Sequence, residues 1–185
     1  IIQSAIAEAN MIKKLDHPSL PRIVDIIEYP DVIYVIMDYI EGEPLSTVLD
    51  EYGAQPQDVV IEWAKQLCEV LDYLHTRKPS IIYRDMKPAN IMLKPDGNLK
   101  LIDFGIAREY KEKNLADTVS LGTKGYAAPE QFGGRGQTDA RTDVYCLGVT
   151  LYHLVTGQNP CEPPYELYPI RHWNPQLSGG LERII

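Results

Sequence analysis

Apolar and polar positions alternate with a period that changes along the chain, and the changes mark out its elements. Ile2, Ile6, Ala9, Ile12 and Leu15 recur at three- and four-residue spacing, which predicts a helix over residues 2–15 that stops at Asp16-His17-Pro18. Strand patterns over 23–29 and 32–40 meet at Pro30-Asp31. Residues 44–52 predict a short helix. Residues 58–75 predict a long one, with Val60, Trp63, Ala64, Leu67, Leu71 and Leu74 on its core face and Asp58 as a candidate cap. Two short apolar runs, 91–93 and 99–102, flank the turn formers Pro95-Asp96-Gly97-Asn98 and predict a β-hairpin. Residues 131–139 read as loop. Residues 140–156 predict a largely apolar helix with Val144, Leu147, Leu151 and Leu154 on one side, ending at Gly157. Pro163, Pro164, Pro169 and Pro175 make the next stretch extended or turn-rich, and residues 181–185 start another helix.

With 185 residues and 44% apolar content, the chain is long enough for one ordinary globular core. A formal charge of −8 without any Lys/Arg block argues against nucleic acid or an anionic membrane as the main partner. No apolar run reaches the ~18 residues of a membrane span. Cys68, Cys146 and Cys161 have no ligand or disulfide spacing and read as reduced thiols of a cytoplasmic setting. His17, His75, His153 and His172 share no ligand spacing with them and read as structural.

The hairpin changes the picture. Asp85, Lys87 and Asn90 precede its first strand and Asp103 follows its second, so antiparallel pairing brings all four polar groups to one end. Asp103 and Asn90 offer hard oxygen ligands of the kind Mg2+ takes. Lys87 offers a point charge to a phosphoryl group, and Asp85 can accept a hydroxyl proton. Such a set suits phosphoryl transfer, which asks mainly for positioning and electrostatic stabilisation.

The stretch IIYRDMKPANIMLKPDGNLKLIDFG, residues 81–105, together with Gly122-Thr123-Lys124-Gly125-Tyr126-Ala127-Ala128-Pro129-Glu130, resembles the eukaryotic-type serine/threonine protein kinases, with a bacterial flavour. That resemblance implies an α+β, two-lobed protein-kinase-like fold, truncated to a partial N-lobe and most of a mainly helical C-lobe. Residues 1–38 would belong to the N-lobe, 39–42 to the hinge and 43–185 to the C-lobe. The first strands, with their Gly-rich loop and Lys, and the last helices of such a domain have no counterpart here, so the chain reads as a fragment, inactive alone.

The same resemblance implies ATP and Mg2+ as cofactors, with Asp85, Lys87 and Thr123 catalytic and Asn90 and Asp103 on the metal. It puts Met37 (as gatekeeper), backbone groups of Asp38 and Ile40, and Met92 around adenine. It makes Glu8 the partner of the missing strand Lys; from the letters alone Glu8 is equally a solvated helix charge. It makes Arg84, joined by Arg108, a receptor for a phosphate on Thr118 or Ser120. Tyr83 would pack under Phe104, with Glu130 structural and Asp143 holding the catalytic-loop backbone, also a structural role; the letters alone read Asp143 as a cap. Tyr83 stands where His is commoner, a known variant. Partners would be protein substrates with Ser or Thr and, for trans-autophosphorylation, a second copy, in the cytoplasm, with any membrane anchor outside this chain. Two other readings stay open: a pseudokinase or scaffold that binds partners, and a small-molecule phosphotransferase of the aminoglycoside type, against which Lys87 and Ala128-Pro129-Glu130 argue.

Overall fold

The computed structural model describes residues 2–104, 108–109, 122–132 and 137–185, and of residues 2–5, 8, 108 and 109 the backbone alone. Helix α1 (Ile2–Lys13) buries Ala9 and Ile12. It ends two residues short of the expected Leu15. Leu15 N–H still reaches Ile12 O at 2.9 Å, but the Asp16 amide turns away to the Tyr73 hydroxyl, and Pro18 disfavours helix at the residue before it.

Strands β1 (Ile23–Glu28) and β2 (Ile33–Met37) form an antiparallel hairpin with a bulge between Ile23 and Asp25. Both are shorter than the apolar pattern predicts. At one end Tyr29 N–H donates to Val32 O at 2.8 Å and closes the turn. At the other, Asp38 leaves the ladder: its N–H donates to Arg22 O and its carboxylate accepts from Arg22 Nε at 2.8 Å.

The next sheet has strand order β3-β5-β6 and is wholly antiparallel: β3 (Glu43–Pro44), β5 (Ile91–Leu93) and β6 (Leu99–Leu101). Gly42 leads into it with φ +141°. A Cβ there would lie 2.2 Å from the Leu93 carbonyl oxygen, so only glycine allows this backbone approach. A third, two-residue pairing joins β4 (Ile81–Ile82) to β7 (Arg108–Glu109). Strands this short carry no periodicity, and the sequence did not announce β3, β4 or β7.

The core lies between helices. Helix α2 (Leu45–Tyr52) follows β3 directly. Helix α3 (Gln57–His75) buries Val60, Trp63, Leu67, Val70, Leu71 and Leu74. Each such side chain contributes on the order of 1.5–3 kcal/mol by burial. Asp58 is not its cap: Pro56 holds that position with no side-chain bond, and Asp58 sits in the first turn, where its charge complements the helix dipole.

Helix α4 (Ala140–Thr156) packs on α3, starts from an Asp139 cap whose carboxylate accepts from Arg141 N–H, and ends at Gly157 in the left-handed region. Val144 is not on its core face: it is 60% exposed, while Asp143, Cys146, Leu147, Thr150, Leu151 and Leu154 are buried. The helix is apolar on most sides, so its pattern could not say which face turns inward; the polar backbone that Asp143 serves decides it. Beyond it lie α5 (Ile170–Trp173) and α6 (Gly179–Ile184), the latter starting two residues earlier than expected because Ser178 caps it at Leu181 N–H. No described helix is long and apolar enough to cross a membrane.

Candidate active site

The hairpin β5–β6 sets the site. Its register pairs Ile91 with Leu101, and one step further out Ile102 N–H donates to the Asn90 carbonyl at 3.1 Å. Asn90 and Asp103 are thereby brought to the same end of the sheet. A 3-10 turn, Pro88–Asn90, holds the entry loop, its Asn90 N–H bonded to Lys87 O.

Asp85 is the centre of the cluster. Asn90 Nδ2 donates to its Oδ2 and to its backbone carbonyl, both at 2.9 Å. Thr123 Oγ1 donates to its Oδ1 at 2.8 Å and accepts from Lys87 Nζ, also at 2.8 Å. Lys87 Nζ lies 3.9 Å from Asp85 Oδ2, a long ion pair that leaves most of the ammonium's donors for another anion. Each carboxylate oxygen of Asp85 accepts one of these short bonds and keeps further acceptor capacity, so a substrate hydroxyl still has a place to donate.

The backbone beneath this cluster is strained. Arg84 is buried and has φ +70°, a left-handed conformation that costs a residue with a Cβ roughly 1–2 kcal/mol. Side chains hold it there. Asp143, with no solvent exposure, accepts from Tyr83 N–H at 2.9 Å, from Arg84 N–H at 2.7 Å, and bonds His75 Nε2 at 2.7 Å. Asp143 thus bonds the loop backbone, as the resemblance implies, and the cap that the letters alone suggested is Asp139. Tyr83 meets Phe104 edge-on, ring centroids 5.1 Å apart, and both rings are buried. Burial, with Asp85 and Asp103 close by, pushes the Tyr83 hydroxyl well above its ordinary pKa, so it stays neutral.

Around the expected adenine site, Met37 and Asp38 are exposed and Ile40 and Met92 half-buried. The Asp38 N–H is already bonded to Arg22 O, so only its carbonyl is free for a base. Glu130 accepts from Thr142 Oγ1 at 2.7 Å. The Glu8 and Arg108 side chains, Thr118 and Ser120 lie outside the described residues.

As a metal site the donor set fits Mg2+. Among the described residues no group of three or more His, Cys, Asp or Glu side chains is placed to cage an ion. Mg2+ does not need one, being held by one or two protein oxygens with phosphates and water. The Asn90 side-chain NH2 donates to Asp85 twice, which leaves its carboxamide oxygen to offer, beside the exposed carboxylate of Asp103.

Residues 2–169 match the family model described as protein kinase domain. The chain belongs to that family. Relatives of this protein kinase domain include a probable serine/threonine-protein kinase of Clostridium perfringens, 39% identical over 83% of this chain and 22% of its own length. Serine/threonine-protein kinase PrkC of Bacillus subtilis is 32% identical over 96% of this chain and 29% of its own length. PknB of Mycobacterium leprae is 36% identical over 83% and 25% respectively. The chain thus spans about a quarter of the length of these relatives. The expected family, its mixed helix and strand fold and its bacterial kinship are borne out.

Three parts of the kinase domain's site were not legible beforehand. Gln131 does not lie in a loop: it is the buried last residue of a 3-10 turn, Pro129–Gln131, and its Nε2 donates to Arg84 O at 2.8 Å. His75 bonds Asp143, and Tyr126 Oη bonds His153 Nδ1 at 2.6 Å. Each pairs residues far apart in sequence, and no local spacing signals it.

Proposed function

We propose that the protein carrying this domain transfers the γ-phosphoryl group of ATP to Ser or Thr hydroxyls of proteins. The observation that carries the reading is the Asp85–Thr123–Lys87 constellation, a carboxylate and an ammonium held by one hydroxyl. Asp85 accepts the proton of the attacking hydroxyl, while Asn90 and Thr123 fix the direction of its two oxygens. Lys87 presents positive charge where the transferred group develops its own. Mg2+, when bound through Asn90 and Asp103, neutralises phosphate charge. Met37, the Asp38 carbonyl, Ile40 and Met92 line the base.

The remaining assignments stand on the family resemblance: residues 1–38, 39–42 and 43–185 as small lobe, hinge and large lobe; Glu8 as ion-pair partner of a strand Lys; Arg84 and Arg108 as receptors for phosphate on Thr118 or Ser120, added by a second copy. Work on cytoplasmic proteins fits three free thiols, two exposed and one buried.

The test is label transfer from γ-labelled ATP with Mg2+ by the intact protein and its Asp85→Asn variant, followed by phosphoamino-acid analysis. Label on Ser or Thr, lost in the variant, is expected. A folded, ATP-binding protein that labels nothing, or labels only a small molecule, would overturn the proposal.

A further inference from the structure

We infer that Gln131 is a positioning residue for phosphoryl transfer: its carboxamide clamps the backbone of Arg84, and with it the aim of Asp85, to the segment that supplies Thr123. The inference rests on the reading of Asp85 given above.

Arg84 precedes Asp85 and sits at φ +70°. Such a conformation persists only where the surroundings hold it. Its N–H is held by Asp143 Oδ1 at 2.7 Å, and its carbonyl is held by Gln131 Nε2 at 2.8 Å. One clamp thus acts on each side of the strained residue.

Gln131 is 2% exposed, and its other end is equally committed. Its Oε1 accepts from Ala128 N–H at 2.9 Å and from the Cys146 thiol of α4 at 3.4 Å. Burial raises that thiol's pKa to about 12, so it remains a donor. One amide group therefore ties the catalytic loop, the 122–132 segment and the central helix together.

Its chemistry is specific. The Arg84 carbonyl can only accept and the Ala128 N–H can only donate, so the group between them must donate at one end and accept at the other. Glutamate would set a carboxylate oxygen against the carbonyl, and leucine would satisfy neither.

The segment bearing Thr123 rests directly on this amide. A Cβ on Gly122, at φ +153°, would come within 2.6 Å of Ala127 Cβ and 3.0 Å of Gln131 Nε2. The Thr123 carbonyl in turn accepts from the Tyr126 and Ala127 amides. Losing the donor of Gln131 would free Arg84 to leave its conformation and swing Asp85 off the line it shares with Thr123 and Lys87.

The experiment compares the intact protein with Gln131→Glu, which keeps volume and acceptor but loses the donor, and Gln131→Leu, which loses both. Kinetics with Mg-ATP and a Ser/Thr protein substrate, thermal melting, and hydrogen exchange of residues 84–87 and of α4 are recorded for each. Expected is a kcat lower by about 10-fold or more with the KM for ATP within about twofold. Exchange at 84–87 should quicken while that of α4 does not. Wild-type kcat and unchanged exchange at 84–87 in both variants would overturn the inference. So would a loss of kcat that merely follows a general fall in melting temperature, with exchange rising evenly through α3 and α4. Should the wild type label no protein at all, the kinase reading fails by itself. Exchange at 84–87 then decides the clamp: quickening there upholds it, and no change removes it.

Discussion

Replacing Asp143 by Asn tests how the catalytic loop is held, because the two side chains are nearly the same shape. The carboxylate is fully buried and serves three groups: Tyr83 N–H, Arg84 N–H and His75 Nε2. An asparagine can keep one acceptor oxygen, best placed on the Arg84 N–H at 2.7 Å. Its NH2 then faces the Tyr83 N–H, donor against donor, and the bond to His75 loses its charge assistance. Hydrogen bonds to charged groups are worth about 1.5–3 kcal/mol, and an orphaned buried donor costs about 1–3 kcal/mol. His75 can recover part of its share by changing tautomer, so the expected net loss is roughly 2–4 kcal/mol. For a domain of this size that corresponds to a melting temperature lower by roughly 5–15 °C. Urea unfolding of the intact protein gives the free energy, and a double-mutant cycle with His75→Gln isolates the His75–Asp143 coupling, expected near 1 kcal/mol. A change below ~0.5 kcal/mol for Asp143→Asn, with unaltered melting, would refute the reasoning, since it would mean that the two backbone donors do not depend on the charge.

Two further outcomes follow from the same geometry. Thr123→Val removes the hydroxyl that joins Asp85 to Lys87 while keeping its volume; kcat should fall about 10–100-fold with little change in the KM for ATP, Thr123→Ser should retain most activity, and a fully active Val variant would show the bridge to be idle. Burial holds His153 near pKa 4 against an ordinary 6.5, with the charge of Asp50 pulling the other way. The unfolded chain therefore binds its proton first, so this contribution is complete above about pH 6.5 and is lost as pH falls toward 4. Stability should drop by roughly 1–2 kcal/mol between pH 7 and 5, allowing for a ring that is only half-buried. His153→Gln, which still offers an oxygen to the Tyr126 hydroxyl, should flatten that dependence in denaturant titrations; an equally steep dependence would count against the assignment.

The candidate site was legible in the sequence because it is local. Asp85, Lys87 and Asn90 lie within six residues, and a hairpin closed by Pro95-Asp96-Gly97-Asn98 can only return Asp103 to their side. Helices α3 and α4 were legible because 19 and 17 residues are enough for a period of 3.6 to repeat several times. What failed had the opposite character. Two-residue strands carry no period, and a helix as apolar as α4 does not state which face is inside, so Val144 was placed on the wrong one.

The sequence by itself determined the family, the reaction class it suggests, and the identity of the groups that would carry it. Only the tertiary structure decided the bonds that hold those groups in place, including that of Asp143, which the family resemblance had named. Asp143 lies 59 residues from the Arg84 amide it binds and Gln131 lies 47 from the Arg84 carbonyl. Such partners are chosen by how α4 and the 122–132 segment pack, not by any spacing along the chain. The physical reason is that a buried backbone N–H or carbonyl must find a partner wherever the fold provides one. That demand has no periodicity, so spacing along the chain points to the candidate reacting groups and not to partners such as Gln131.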